Sequence, residues 1–161
     1  MPSAVHYHFR QRFEVSARRA YNWCTDYGPR DHALMGQENA ERRISRLSDS
    51  TVVLTDTFQT KGGLVEKQKL VQLYPDQLSW TATHLTGPAK YSQFLYQITS
   101  AGDEASHLEF TGLFLDYEHE NLSKAEEKKL AEQLCREDAW GWKLLAKAMA
   151  LGRIGDASAK R

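Results

Sequence analysis

From Ser123 to the last residue the chain contains no proline, and Gly141 is the only glycine before Gly152. Ser123-Lys124-Ala125-Glu126 has the S-x-x-E spacing of a capping box, in which the Ser and Glu side chains each satisfy a free backbone N–H at a helix start. The pattern predicts one helix over Lys124–Leu151, about 28 residues and roughly 40 Å long, stopped by Gly152. Advancing about 100° per residue from Leu130 places Leu130, Leu134, Gly141, Leu145, Ala148 and Met149 in one sector about 100° wide, with Trp142 just beyond. Glu132, Arg136, Lys143 and Lys147 fall opposite. A stripe of that length must be buried against something large, so the rest of the chain has to supply a broad apolar surface.

The first two thirds read as that surface. Tyr7, Phe9, Gln11, Phe13 and Val15 alternate with His6, His8, Arg10, Arg12 and Glu14, the period of two that marks a strand with one wet face. Ser16 is placed as the N-cap of a short helix in which Ala17, Ala20, Tyr21 and Cys24 recur at helical spacing. Gly28-Pro29 ends it, and Asp31–Met35 supplies one further turn. Six strands follow, over Glu41–Leu47, Thr51–Gln59, Leu64–Leu73, Leu78–Leu85, Tyr91–Ser100 and Ser106–Asp116. The segments between them, such as Lys61-Gly62-Gly63 and Tyr74-Pro75-Asp76, have turn chemistry. The expectation is an antiparallel sheet of seven strands and a single domain over residues 1–152, with 153–161 a polar, frayed tail.

Composition removes several function classes. The 21 Lys and Arg equal the 21 Asp and Glu, so the formal charge is zero, whereas a general nucleic-acid binder carries a basic excess to neutralise phosphates. No apolar run approaches the roughly 20 residues a bilayer span needs, and the N-terminus lacks the basic-then-apolar pattern of a secretory signal. A cytoplasmic protein, monomeric or homodimeric, is expected. Cys24 and Cys135 lie far apart and match no zinc or redox spacing. His6 and His8 share a face with Arg10 and Arg12, which repel a cation, so neither a metal nor another cofactor is expected. Asp116, Glu118, His119 and Glu120 read as a solvated loop, and Lys61-Gly62-Gly63 lacks phosphate-loop spacing.

The order of one strand, two short helices, six strands and a long helix is that of the α+β helix-grip fold, a curved antiparallel sheet wrapped around its last helix. Ala20-Tyr21-Asn22-Trp23-Cys24-Thr25-Asp26-Tyr27-Gly28-Pro29 resembles the first-helix segment of the SRPBCC superfamily, which includes START-related, birch-pollen-allergen-like and polyketide cyclase proteins. Leu78-Ser79-Trp80-Thr81, Tyr91–Ile98 and Leu108–Leu113 are similar to its later hairpins. The resemblance covers the chain to about residue 152 and rests on no catalytic motif. It implies a cavity between sheet and helix that holds a small hydrophobic or aromatic molecule such as a lipid or polyketide. It leaves carrier and enzyme open, because both share the fold.

Asp138 is the most informative residue, since it falls at about 80° on the inward stripe where an unpaired carboxylate is costly. His84 continues the apolar face of Leu78, Trp80 and Ala82, and Tyr96 shares a face with Phe94 and Ile98. These three are the candidate acid/base or anchoring groups. The expected lining is Trp80, His84, Phe94, Tyr96, Phe110, Phe114, Leu134, Asp138, Trp142 and Leu145. Asp56 and Glu66 are weaker candidates, because both faces of their strands are similarly apolar. Three readings follow: a carrier with a mostly apolar pocket; a cyclase or dehydratase in which Asp138, His84 and Tyr96 converge; and an interaction module with a filled core.

Overall fold

The computed structural model describes residues 1–154. Alternation in the first strand is carried into β1 (Ser3–Phe13), whose Val5, Tyr7, Phe9 and Phe13 are buried while Ala4, His6, His8, Arg10 and Arg12 are exposed. Helix α1 (Ala17–Thr25) starts where Ser16 Oγ accepts from the Arg19 N–H at 3.4 Å, and α2 (Asp31–Leu34) is a single turn. Strands β2 (Ala40–Arg46), β3 (Thr51–Thr60), β4 (Gly63–Tyr74), β5 (Ser79–His84), β6 (Gln93–Ser100) and β7 (Ser106–Asp116) complete an open sheet in the order β1-β7-β6-β5-β4-β3-β2. Every neighbouring pair is antiparallel. β1 and β2 are therefore its two edges.

Two strands are shorter than the pattern suggests. Leu78 and Tyr91 have φ of 50° and 68°, outside the extended region, so β5 begins at Ser79 after a 3-10 turn over Pro75–Gln77 and β6 begins at Gln93.

The long helix α3 (Lys124–Ile154) opens on the anticipated capping box: the Ser123 N–H donates to Glu126 Oε2 at 2.8 Å and the Glu126 N–H to Ser123 Oγ at 3.3 Å. It runs through Gly152 instead of stopping there, since one helical glycine costs only about 1 kcal/mol. The tail expected from residue 153 lies outside the described residues from 155 onward.

Sheet and helix close on two apolar clusters. Phe13, Tyr21, Trp80, Leu108 and Met149 belong to the one beneath α1, whereas Tyr7, Phe9, Phe94 and Phe110 form the other with Leu134, Cys135 and Trp142 of α3. Phe9 stacks on Phe110 at 4.5 Å between ring centroids. Across the register Tyr7 faces Gly112. A Cβ there would stand 2.6 Å from Tyr7 Cε1, so the glycine is what lets the tyrosine ring lie flat across β7. Gly112→Ala is therefore expected to destabilise the protein by about 1–3 kcal/mol through overpacking, measured by urea unfolding; an unchanged midpoint would show that the ring moves freely.

Candidate functional site

One face of the sheet, read strand by strand, defines the site. Register pairs Asp56 with Lys67, Leu54 with Lys69, Lys69 with His84, Val71 with Ala82, Ala82 with Phe94, and Trp80 with Tyr96. These inward residues and the Asp138, Gly141, Trp142 and Leu145 face of α3 enclose a cavity of about 540 Å³. Trp23, Cys24 and Tyr27 of the α1 region also line it, and exposed Gln37, Glu137 and Trp140 stand at its rim.

Its aromatic half is closely packed. Trp80 and Tyr96 stack at 4.8 Å with an interplanar angle of 2°, and Trp142 leans on both at 6.4 and 5.7 Å. Phe94 and Phe110 continue the wall. Burial, the neighbouring charge of Asp138 and the thiol of Cys24 push the Tyr96 phenol well up, against a smaller opposing pull from Arg42, so it stays a neutral hydroxyl at physiological pH.

Asp138 projects from α3 into this half and accepts a hydrogen bond on Oδ2 from the Tyr7 hydroxyl of β1. Burial raises the Asp138 carboxyl above the ordinary aspartate range, while the Tyr7 bond and the charge of Lys69 pull the other way. Tyr7 itself is raised, first by burial and then by the adjacent carboxylate. The pair is a buried acid held by a neutral donor, with its proton affinity shifted toward neutral pH.

The other half is charged. Arg42 of β2 donates from Nε and Nη2 to Asp56 Oδ1 and Oδ2 at 2.7 and 3.0 Å, and from Nη1 to Asp31 Oδ2 at 3.2 Å. The Gly28 N–H also donates to Asp31 Oδ2, at 2.9 Å, which fixes the entry to α2. Lys69 Nζ lies 3.2 Å from Asp56 Oδ2. His32 Nε2 is 3.2 Å from Asp56 Oδ1 but is not aligned for a hydrogen bond. Burial works to raise the Asp56 carboxyl; contacts from His32 and Arg42 and the charge of Lys69 outweigh it and hold the pKa far below the usual range. His84 is pushed down to about 3 by burial and by Lys69 and Lys67, so its ring is neutral at pH 7, and its buried Nδ1 has no hydrogen-bond partner among the described residues.

Of the residues expected from sequence, Trp80, His84, Phe94, Tyr96, Phe110, Asp138, Trp142 and Leu145 stand on the cavity wall. Phe114 and Leu134 pack instead in the cluster around Tyr7 and Phe9. Asp56 is fully buried behind Arg42 and Lys69, and Glu66 points outward from β4. Sequence reasoning missed Tyr7, Arg42, Lys67 and Lys69 as site residues. The signal for the lysines was that they share a strand face with Val65, Val71 and Leu73; Tyr7 lay on a face read as dry, with its partner 131 residues away. Among the described residues no cluster of His, Cys, Asp and Glu has the arrangement of a metal site.

No family model matches the chain, and no curated protein matches it in sequence. An open antiparallel sheet gripping one long helix over an internal cavity defines a helix-grip protein. Solved structures agree. The Zhui aromatase/cyclase of Streptomyces sp. R1128 superposes with a TM-score of 0.74 at 12% identity, over 97% of this chain and 99% of that one. Norcoclaurine synthase of Thalictrum flavum, in complex with dopamine and hydroxybenzaldehyde, gives 0.64 at 15% identity over 91% and 86%. Ara h 8.0201 gives 0.61 at 10% identity over 89% and 99%. The fold is the helix-grip fold that these structures share. At such identities the likeness is one of fold.

Proposed function

We propose that the chain binds a small aromatic molecule in the cavity between the sheet and α3. The observation that carries this is the stacked Trp80–Tyr96 pair with Trp142, Phe94 and Phe110 around about 540 Å³ of open space. Flat rings on that wall bury apolar surface, and a few polar groups fix their orientation. The aromatase/cyclase and norcoclaurine synthase structures support the reading by sharing the fold. Native mass spectrometry of the protein purified from its own host should show a bound small molecule. A panel of aromatic polyketides at about 100 times Kd should raise Tm by roughly 5–10 °C. Bare protein together with no shift across polyketides, lipids and sterols would overturn the proposal.

A second reading, a cyclase or dehydratase acting in the same cavity, is favoured by the Tyr7–Asp138 pair. A carboxyl raised toward neutral pH can take a proton from a carbon next to a ketone, or return one to a departing hydroxyl. His84, pushed down to about 3, is a weak base and serves better to orient a substrate oxygen. Tyr96 donates its phenol to that oxygen.

A further inference from the structure

The cavity has two unlike ends, and the difference restricts its ligand. Lys67 and Lys69 share the inward face of β4 with Val71, and Lys69 is paired in register with His84. Trp80 lies on β5 four residues from His84, about 13 Å along the strand. Phe94 stands opposite Ala82, between these two levels.

Charges at the β4 end do not cancel. Both oxygens of Asp56 are engaged by Arg42, and Asp31 Oδ2 accepts from Arg42 and the Gly28 N–H, while its buried Oδ1 has no hydrogen-bond partner among the described residues. Lys69 reaches only the already engaged Oδ2 of Asp56. Lys67 Nζ sits 5.2 Å over the Phe58 ring and has no carboxylate within 4.0 Å among the described residues. Three cations, Arg42, Lys67 and Lys69, thus stand against two carboxylates, beside a neutral His84 with an unused ring nitrogen. Asp138 is across the cavity on α3, engaged by Tyr7 in the aromatic half. That arrangement attracts an anion at one end and repels it from the other.

We propose that the ligand is an aromatic carboxylate of two to three rings, its acid group held by Lys67, Lys69 and His84 and its rings lying along Phe94 toward Trp80 and Tyr96. The inference rests on the aromatic-ligand reading above and adds the ligand's charge and direction. A hydrogen bond between charged partners in a partly desolvated site is worth enough to separate the acid from its neutral isostere about tenfold or more.

The test compares 2-naphthoate with 2-naphthamide by isothermal titration calorimetry on the wild type and on Lys67→Gln, whose lysine has no acid partner to lose. The wild type should bind the naphthoate at least about tenfold more tightly, and the variant should bind the two compounds about equally. Equal affinities in the wild type, or a preference that survives in Lys67→Gln, would overturn the carboxylate assignment and leave the aromatic-ligand proposal standing. If neither compound binds, the carboxylate assignment falls, while the aromatic-ligand proposal is decided by the native mass spectrum and the thermal-shift panel.

Discussion

Asp56→Asn is expected to lower the stability of the protein by about 3–5 kcal/mol at pH 7, the loss typical when one partner of a buried ion cluster is removed. Asp56 is fully buried and engages Arg42 through both oxygens, with Lys69 at 3.2 Å. Without its charge, Arg42 keeps only Asp31, and Lys69 keeps no carboxylate within 4.0 Å among the described residues. Burial already pushes Lys69 down, against the pull of Asp56. The variant would leave two cations in a low-dielectric site, one of them able to escape only by losing its proton. Urea unfolding at pH 7 measures the effect, and a loss below about 1 kcal/mol would show that water reaches the cluster and screens it.

The same residue gives stability a direction in pH. Its folded pKa lies below the unfolded value of about 3.9. The contribution is therefore fully present above the unfolded pKa and is lost as pH falls toward the folded one. Wild type and Asp56→Asn should differ most at neutral pH and draw together in acid. A gap that widens below pH 4 would contradict the assignment of charge to Asp56 in the folded state.

This cluster also marks where sequence reading reached its limit. The strands, the capping box at Ser123 and the inward stripe of α3 were legible because each is a local pattern with one period. Asp138 was legible for the same reason, since a carboxylate among Leu145 and Met149 breaks its stripe. β3 and β4 offered no such contrast. Val52, Leu54, Asp56 and Phe58 were as plausible an outer face as Val53, Thr55 and Thr57, and on β4 Lys67 and Lys69 shared a face with Val65 and Val71 while Glu66 and Gln68 shared the other with Leu64 and Leu70. Only the pairing of Leu54 with Lys69 and of Asp56 with Lys67 fixes which side is inside. Those contacts lie across strands and outside the period of either one. The Tyr7–Asp138 bond is long-range: it joins the first strand to the last helix and depends on Gly112 to clear a path for the ring.

Asp138→Asn is expected to make the free protein more stable at pH 7 while removing its acid–base chemistry. Burial raises the Asp138 carboxyl despite the Tyr7 hydrogen bond. For a group raised on folding, the stabilising contribution is complete below the unfolded pKa and disappears as pH rises through the folded one. At pH 7 the ionised side chain is thus a net cost, borne inside a cavity where a ligand would meet it. Asparagine keeps an oxygen to accept from Tyr7 and carries no charge, so a gain of about 1 kcal/mol is expected, of the size that relieving a functional site commonly yields. The gain should vanish below pH 4, where aspartate is protonated as well. On an identified substrate, removal of a general acid or base should reduce turnover by about 10²–10⁴-fold, whereas binding of an aromatic carboxylate should be undiminished, because the variant removes a repelling charge. A carrier would show the stability gain and the retained binding with no turnover to lose, so the three measurements together separate the two readings. Destabilisation at pH 7 would mean that the Tyr7 bond outweighs burial and that Asp138 is structural, which would remove the basis for the enzyme reading.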